Sequence, residues 1–387
     1  MENVFVTDSI KYIGANDKTL DLFEGQYIIP NGVSYNSYVI MDEKIAVMDT
    51  VDSRATDEWL KNLEKVLGER KPDFLVISHL EPDHASNVQL FAEKYPEAKL
   101  VGNAKTFAMM PQFFDFNFTD RAVTVKEGDT LVLGEHILTF VMAPMVHWPE
   151  VMVAYESTEK VLFSADGFGK FGALDVDEDW TCEARRYYIN IVGKYGAQVQ
   201  ALLKKASKLD IQIICPLHGP ILKENLGYYI EKYDIWSSYK AEDEGIFIAY
   251  ASMHGNTAKA VNELKQLLEE KGTVKVSVAD LARDDMAEAI EGAFRYDRLV
   301  VAGPTYDGGL FPVVEDFLYH LKLKNYQNRK VAFIENGSWA PLAGKKMKEY
   351  FESMKNITLC DTMVTVKSTL NQTSREQLNK LADELLG

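Results

Sequence analysis

Residues 79–84 read His-Leu-Glu-Pro-Asp-His, and four of these six side chains can bind a metal ion. The preceding run DFLVISHL is continuous in apolar residues, as is typical of a buried strand, and a predicted helix follows. Side chains two residues apart on an extended segment point the same way, so His79, Glu81 and Asp83 can converge. His84 begins the turn and can reach back. We therefore expect this one loop to serve two metal ions.

Three further candidate ligands each lie at the end of a predicted strand: His147 in APMVHWPE, Asp166 in FSADGFG and His218 in CPLHGP. The chain has only 7 histidines, and four of them fall in these three segments or in the 79–84 motif. A single histidine of this kind is usually an ordinary hydrogen-bonded residue, but the set together predicts a metal centre. We expect the remaining His136 and His320 to be ordinary surface residues, and His254 belongs to a different motif.

The ligand types restrict the metal. Four imidazoles and three carboxylates without a thiolate form a hard environment, in which iron or manganese fits better than zinc. Two metals can share these ligands only if one carboxylate bridges them. Asp166 arrives alone from a separate strand, so it is the expected bridge, and the set leaves open positions for a small substrate.

A second motif follows the apolar strand GIFIAY and comes directly before a helix. Its residues are Ser252, Met253, His254, Gly255, Asn256 and Thr257. Hydroxyls, an amide and backbone N–H groups at a helix N-terminus form an anion site without any basic side chain, which fits a terminal phosphate. A helix cap after a glycine turn would explain this loop equally well on its own.

Two companion loops favour the phosphate interpretation. They follow the third and fourth predicted strands, at the carboxyl ends where a doubly wound sheet binds its ligand. Their residues are Pro304, Thr305, Tyr306, Asp307, Gly308 and Gly309, and then Asn336, Gly337, Ser338, Trp339 and Ala340. Together the three loops resemble those of flavodoxin. That resemblance implies that the first loop holds the phosphate of FMN and that the other two flank its isoalloxazine ring.

The order of predicted elements indicates how these motifs are positioned. Two runs of strands with helices between and outside them predict an αββα sandwich of two sheets in the first part of the chain. The short polar stretch at 240–245 interrupts the pattern, so we expect one domain at 1–243 and another at 245–387. In the second, five strands alternate with helices, which predicts a five-stranded parallel sheet wound on both faces.

Composition excludes several classes of protein. The chain has 387 residues, of which 47% are hydrophobic and 26% charged, the balance of an ordinary globular protein. Its net charge of −16 argues against nucleic acid or a membrane surface as partner. Cys182, Cys215 and Cys360 lie far apart, which excludes a four-cysteine cluster and fits a reducing cytoplasm. No signal peptide or membrane span is evident.

The pattern H-x-E-x-D-H, followed by H, D and H on separate strand ends, resembles the metallo-β-lactamase superfamily and specifically its flavodiiron branch. In that branch glutamate replaces the second histidine of the hydrolases, so Glu81 is the discriminating residue. The resemblance implies two iron ions. One would be bound by His79, Glu81 and His147, the other by Asp83, His84 and His218, with Asp166 as the bridge.

A lactamase-like domain followed by a flavodoxin-like domain is the arrangement of A-type flavoproteins. The resemblance implies an oxidoreductase that reduces dioxygen to water, nitric oxide to nitrous oxide, or both, with FMN relaying electrons. It also implies an external donor, either a rubredoxin-like protein or the reduced deazaflavin F420, and a head-to-tail homodimer or a dimer of dimers. Trp339 would contact the opposite diiron site or pack only against the flavin, and Trp148 would wall the metal pocket or fill core.

Two rival functions remain at this point. A metallo-hydrolase would use the same fold with a bridging hydroxide as nucleophile, although Glu81 and the flavodoxin-like domain argue against it. An electron carrier or sensor would have lost the activity of its metal site, but all seven ligand positions are filled. The sequence does not choose between dioxygen and nitric oxide, nor between electron donors.

Overall fold

The computed structural model describes residues 4–272 and 274–387. The chain divides into two compact units, one formed by residues up to Tyr188 with Ala197–Asp234, and the other by Ile189–Gly196 with Ile235–Gly387. The predicted domain limits of 1–243 and 245–387 stay a prediction.

The first unit is built on two sheets of mostly short strands. Its strands are β1 Ile10–Tyr12, β2 Ala15–Asp17, β3 Leu22–Phe23, β4 Tyr27–Ile28, β5 Val33–Tyr35, β6 Tyr38–Ile40, β7 Ala46–Met48, β8 Phe74–Val76, β9 Lys99–Asn103, β10 Ala122–Val125, β11 Thr130–Val132, β12 Ile137–Met142, β13 Met152–Glu156, β14 Val161–Phe163 and β15 Ile213–Cys215. One sheet has the order β1-β6-β7-β8-β9-β10 and the other β11-β12-β13-β14-β15, while β2 pairs with β5 and β3 with β4.

Helices join these strands. They are α1 Thr56–Leu67, α2 Pro82–Ala85, α3 Val88–Lys94, α4 Ala104–Met109, α5 Trp180–Tyr187, α6 Gly196–Ala206 and α7 Leu226–Ser237. With the two sheets they form the predicted αββα sandwich, so this expectation is confirmed.

The core of the first unit lies between the two sheets. Val76 and Val101 of one sheet belong to the same buried apolar cluster as Phe140 and Phe163 of the other. Because side chains alternate between the faces of a strand, the neighbours of these residues face outwards and pack under the helices. The apolar cluster between the sheets fixes the two sheets relative to each other, and with them the strand ends and the loops that follow these ends.

The second unit contains a parallel sheet. Its strands are β16 Asp243–Tyr250, β17 Lys275–Asp280, β18 Tyr296–Tyr306, β19 Gly309–Leu310, β20 Arg329–Asn336 and β21 Ile357–Val366, and its helices are α8 Asn256–Lys271, α9 Met286–Arg295, α10 Pro312–Leu323, α11 Ala343–Phe351 and α12 Gln372–Leu386. The order β17-β16-β18-β20-β21, with the short β19 paired to β18, is that of a doubly wound flavodoxin-like sheet. The predicted five parallel strands are confirmed.

Two sequence-based expectations need correction. His136 is not a surface residue: it is only 5% exposed, and its Nδ1 lies 3.1 Å from Oε1 of the buried Glu156. The polar stretch at 240–245 does not wholly interrupt the pattern of elements, since its last three residues already belong to β16. A contact with Glu156 of β13 in the first case, and pairing of β16 with β17 and β18 in the second, override the local polarity of the sequence.

The N-terminus of α12 provides a test of this fold. The Asn371 side chain accepts the Ser374 N–H at 3.0 Å, and the Ser374 hydroxyl accepts the Asn371 N–H at 2.8 Å, which is a capping box. We expect Asn371→Ala to lower the free energy of unfolding by about 1 kcal/mol. Urea unfolding of the FMN-free protein, followed by circular dichroism, measures the change. The control Asn379→Ala, on an exposed turn of the same helix, should stay within about 0.5 kcal/mol of the parent, and equal effects of the two variants would contradict the prediction.

Candidate metal centre and cofactor cleft

The structure brings all seven predicted metal ligands to one end of the sandwich of the first unit. The segments that carry them follow the carboxyl ends of β8, β12, β14 and β15. β14 is parallel to β15, and β12 is related to β14 through the antiparallel β13, so the carboxyl ends of β12, β14 and β15 lie on the same side. The short helix α2 then turns two further ligands towards the same point. The ligands are His79, Glu81, Asp83, His84, His147, Asp166 and His218.

Four of these side chains form the first cluster. Glu81 Oε2 lies 3.1 Å from His79 Nε2 and 2.8 Å from His147 Nε2. Asp166 Oδ2 lies 3.4 Å from His79 Nε2 and 3.5 Å from His147 Nε2. Two imidazole nitrogens and two carboxylate oxygens therefore face a common centre.

The second cluster contains Asp83, His84 and His218. Asp83 Oδ2 lies 3.3 Å from His84 Nε2 and 3.1 Å from His218 Nε2. Asp166 Oδ1, the other oxygen of the same carboxylate, lies 3.1 Å from His84 Nε2 and 3.8 Å from His218 Nε2. Asp166 thus presents one oxygen to each cluster, which is the geometry of a bridging ligand.

The hydrogen-bonding state of these atoms fits two metal ions. Both carboxylate oxygens of Asp83 and of Asp166 are buried without a hydrogen-bond partner, as are the Nε2 atoms of His84 and His218. Buried polar atoms are almost always satisfied in native proteins, so a concentration of unsatisfied ones needs an explanation. Two cations at the centres of the clusters would pair with both Asp166 oxygens, with Asp83 Oδ2 and with the two Nε2 atoms.

Outer contacts orient two of the imidazoles. His79 Nδ1 donates to Glu150 Oε1 at 2.8 Å, and His218 Nδ1 donates to the Ser34 carbonyl at 2.7 Å. Each bond places the ring proton on Nδ1 and leaves the Nε2 lone pair for a metal. Sequence reasoning missed both partners, although the acid in His147-Trp-Pro-Glu150 could have suggested the first.

The electrostatics of the clusters favour positive charge within them. Burial acts to raise the pKa of Asp166, but the His84, His79 and His147 imidazoles outweigh it and hold this pKa well below its usual range. Burial likewise acts to lower the pKa of His84, yet the nearby Asp83 and Asp166 carboxylates raise it to about 9. The carboxylates therefore attract cations, whether these are protons or metal ions.

Aromatic side chains surround the clusters. The Trp148 ring lies edge-on to His79 with 5.1 Å between ring centroids, so Trp148 walls the metal pocket. The Phe23 ring packs edge-on against His218 at 5.4 Å.

The residue that follows Phe23 is the carboxylate Glu24. Desolvation and the Glu81 carboxylate raise the pKa of Glu24 to about 7, although His147 acts in the opposite direction. Sequence reasoning missed the β3–β4 hairpin that carries Phe23 and Glu24, because its approach to the ligands is a tertiary contact.

In the second unit, the three predicted loops line one cavity of about 370 Å³ at the carboxyl edge of the sheet. Fourteen of the seventeen predicted residues contribute to the lining, and Leu342 and Ser368 join them. Gly255, Tyr306 and Gly309 lie outside this lining. Sequence reasoning missed Ser368 because it follows β21, a strand whose closing loop carries no recognisable motif.

The first loop has the features of an anion site. Gly255 adopts the left-handed conformation with φ of 83°, and α8 begins at the next residue. Ser252 Oγ is buried without a hydrogen-bond partner and can donate to a ligand oxygen. Asn336 Nδ2 lies 3.4 Å from Thr257 Oγ1, and Asn336 Oδ1 accepts the Ser368 N–H at 3.1 Å, so the loops brace one another. A phosphate group fits the donors of this loop.

Trp339 is 93% exposed at the rim of this cavity. A side chain of this size gains stability from burial, and within the described residues of its own chain Trp339 is almost uncovered. The indole is therefore available to a ligand or to another surface.

Comparison with known proteins is consistent with both halves of this description. A family model described as ODP family beta lactamase matches residues 33–219, and a flavodoxin domain matches residues 247–381. The anaerobic nitric oxide reductase flavorubredoxin of Vibrio vulnificus is 30% identical over 351 residues, which cover 87% of this chain and 70% of that protein. The chain belongs to the flavodiiron protein family.

Further relatives of this flavodiiron protein extend the likeness over almost its whole length. The nitric oxide reductase of Moorella thermoacetica is 29% identical over 94% of this chain and 93% of that protein. The solved structure of rubredoxin oxygen:oxidoreductase from the anaerobe Desulfovibrio gigas has a TM-score of 0.91, with 27% identity over 99% of this chain and 97% of that one. Among the helices described, none is long and apolar enough to cross a bilayer.

The bridging geometry of Asp166 generates a prediction about metal content. We expect Asp166→Ala to lose both metal ions, because its two oxygens face separate clusters, and to keep FMN, because the flavin cavity lies in the other unit. Elemental analysis and the flavin absorption of the purified variant measure both. The control Asp210→Ala removes an exposed carboxylate paired with Lys160 and should change neither. Two metal ions per chain in the Asp166 variant would refute the bridge.

The anion loop generates a prediction about FMN binding. Asn256→Ala should weaken FMN binding, since Asn256 lines the cavity at the first position of α8, and should leave the metal content intact. Titration of the FMN-free protein with FMN, followed by quenching of flavin fluorescence, gives the dissociation constant. Asn262→Ala, on an exposed position of the same helix, is the matched control. An unchanged affinity for FMN would indicate that the loop is only a helix cap.

Proposed function

We propose that this flavodiiron protein reduces dioxygen to water, nitric oxide to nitrous oxide, or both, at a non-haem diiron site with FMN as electron relay. The observation that carries the proposal is the Asp166 carboxylate, whose two oxygens face two complete sets of nitrogen and oxygen ligands. The flavin-type cavity in the same chain supports redox chemistry rather than hydrolysis.

The cofactors are two iron ions and FMN. The irons would be held by His79, Glu81, Asp83, His84, His147, Asp166 and His218, and FMN by the three loops that line the cavity of the second unit. When bound, FMN stores two electrons and the iron pair two more, which together suffice to reduce dioxygen to two waters, whereas coupling of two nitric oxide molecules needs two electrons.

The side chains of the protein position and enclose this chemistry. With its two oxygens directed at separate clusters, Asp166 would hold two metal ions close enough together for one small substrate to reach both. Glu150 and the Ser34 carbonyl hold two ligand imidazoles in the orientation that ligation requires. Trp148 and Phe23 cover the ligands with apolar surface, which limits the access of water.

Electrons must come from outside the chain. Its three cysteines are far apart and cannot form a rubredoxin cluster. We propose a rubredoxin-like protein or the reduced deazaflavin F420 as donor; one relative bears the name rubredoxin-oxygen oxidoreductase. The donor would meet the protein at the flavin edge, in the cytoplasm that the reduced cysteines favour.

We further propose a head-to-tail homodimer, alone or as a dimer of dimers, built from domains with the limits 1–243 and 245–387. Such a dimer would place the flavin of one subunit beside the irons of the other. The exposed Trp339 supports this arrangement, because an uncovered indole at the cavity rim is suited to burial against a second surface.

Stopped-flow kinetics test the proposed function. The protein is purified, its iron and FMN are quantified, and the anaerobically reduced enzyme is mixed with dioxygen or with nitric oxide while flavin reoxidation is followed. We expect fast reoxidation by at least one gas, no peroxide from dioxygen, and a ratio of rates that gives the preference. The Asp166→Ala variant, which we expect to lack iron and to retain FMN, is the control and should react slowly.

Two outcomes would overturn the proposal. Zinc in place of iron would indicate that the protein is a metallo-hydrolase. An iron-loaded protein whose flavin is indifferent to both gases would make it an electron carrier or sensor.

A further inference from the structure

A small cavity lies in the first unit between α6 and the outer face of the second sheet. Its volume is about 30 Å³. Val141, Val153 and Leu162 line it from the sheet, and Val199, Leu203 and Ala206 from the helix. The sheet residues are the outward-facing neighbours of Phe140, Met152 and Phe163, which face the core between the sheets.

The size of the cavity restricts its occupant. A cavity needs roughly 10–15 Å³ of this kind of space to hold one water molecule. The space therefore suits a molecule of two heavy atoms and is too small for an organic substrate.

The chemistry of the wall excludes water. A buried water requires two to four polar partners, and the lining is almost entirely carbon. Its two polar side chains are already engaged, since Ser164 Oγ donates to the Gly167 carbonyl and Tyr233 Oη accepts the Phe168 N–H. An apolar molecule enters such a dry site without losing hydrogen bonds.

The cavity shares two chain segments with the metal centre. Val146 lines the cavity and directly precedes the ligand His147. Gly167 and Phe168 line it and directly follow the ligand Asp166. A molecule held there lies behind the segments that carry the ligands.

We propose that this cavity binds an apolar diatomic gas, dioxygen or nitric oxide, and supplies it to the metal centre. The inference rests on the proposed function, which makes such gases the substrates. Because these gases dissolve better in apolar surroundings than in water, the cavity raises their concentration beside the ligands. Filling it would slow the reaction without changing the metal site.

Xenon tests occupancy independently of activity. Crystals of the protein as purified are pressurised with xenon, and we expect xenon density between α6 and the sheet. Ala206→Leu extends a larger apolar side chain into the cavity and should abolish this density. Ala201→Leu makes the same change at an exposed position of the same helix, outside the lining, and should leave it unchanged. Absence of xenon from the parent protein would overturn the proposal.

Stopped-flow measurements test whether the cavity supplies gas to the metal centre. At low gas concentration, the second-order rate constant for reoxidation should fall several-fold in Ala206→Leu and stay at the parent value in Ala201→Leu, with iron and FMN contents equal in all three. An unchanged rate in a variant that excludes xenon would refute the role of the cavity. Failure of the proposed function is recognised separately, from the metal content and gas reactivity of the parent protein.

A second variant covers the case in which overpacking prevents folding of Ala206→Leu. Val199→Ala enlarges the cavity, so xenon occupancy should rise and the reoxidation rate constant should not fall. A decrease in xenon occupancy in this variant would contradict the assignment.

Discussion

The Asp166 carboxylate is the interaction on which the rest of the first unit depends. Its two oxygens lie between two sets of imidazole and carboxylate ligands, and neither oxygen has a hydrogen-bond partner of its own. Such a group is costly to bury unless positive charge compensates it. The convergence of four strand ends at this point is stable because the sandwich core behind them is apolar and closely packed, and because the centre can hold cations.

The second unit must attract an anion although the chain as a whole is negatively charged. A chain with a net charge of −16 must bind a phosphate, and its first loop contains no lysine or arginine. The start of α8 supplies backbone N–H groups and the positive end of the helix dipole instead. Neutral donors of this kind bind an anion in a fixed place, while the acidic surface elsewhere opposes nonspecific binding of polyanions. The Asn336 side chain, at the end of β20, contacts the loop through Thr257 and also accepts a hydrogen bond from the Ser368 N–H.

Polar and apolar layers alternate around the metal centre. The ligands form a polar cluster, Glu150 and the Ser34 carbonyl hold them from outside, and aromatic side chains cover them. Beyond the ligand-bearing segments lies a cavity with almost no polar wall. The polar layer is suited to binding metal ions, because ligation needs charge and hydrogen bonds. The apolar cavity is suited to a neutral gas, because its wall has almost no charged or hydrogen-bonding groups.

The sequence by itself was enough to predict the chemistry of both candidate sites. Seven residues could be predicted as metal ligands because such ligands must be particular residue types at strand ends, and the phosphate loop because it must join a strand to a helix. The seven are His79, Glu81, Asp83, His84, His147, Asp166 and His218. The order of predicted strands and helices likewise predicted the two sheets of the first unit and the parallel sheet of the second. Only the tertiary structure placed Glu150, Phe23 and Ser368 beside these motifs, buried His136 against Glu156, and left a cavity under α6. The physical reason is that ligand chemistry restricts residue type and local spacing, whereas packing partners need only suitable size and polarity and arrive from distant parts of the chain.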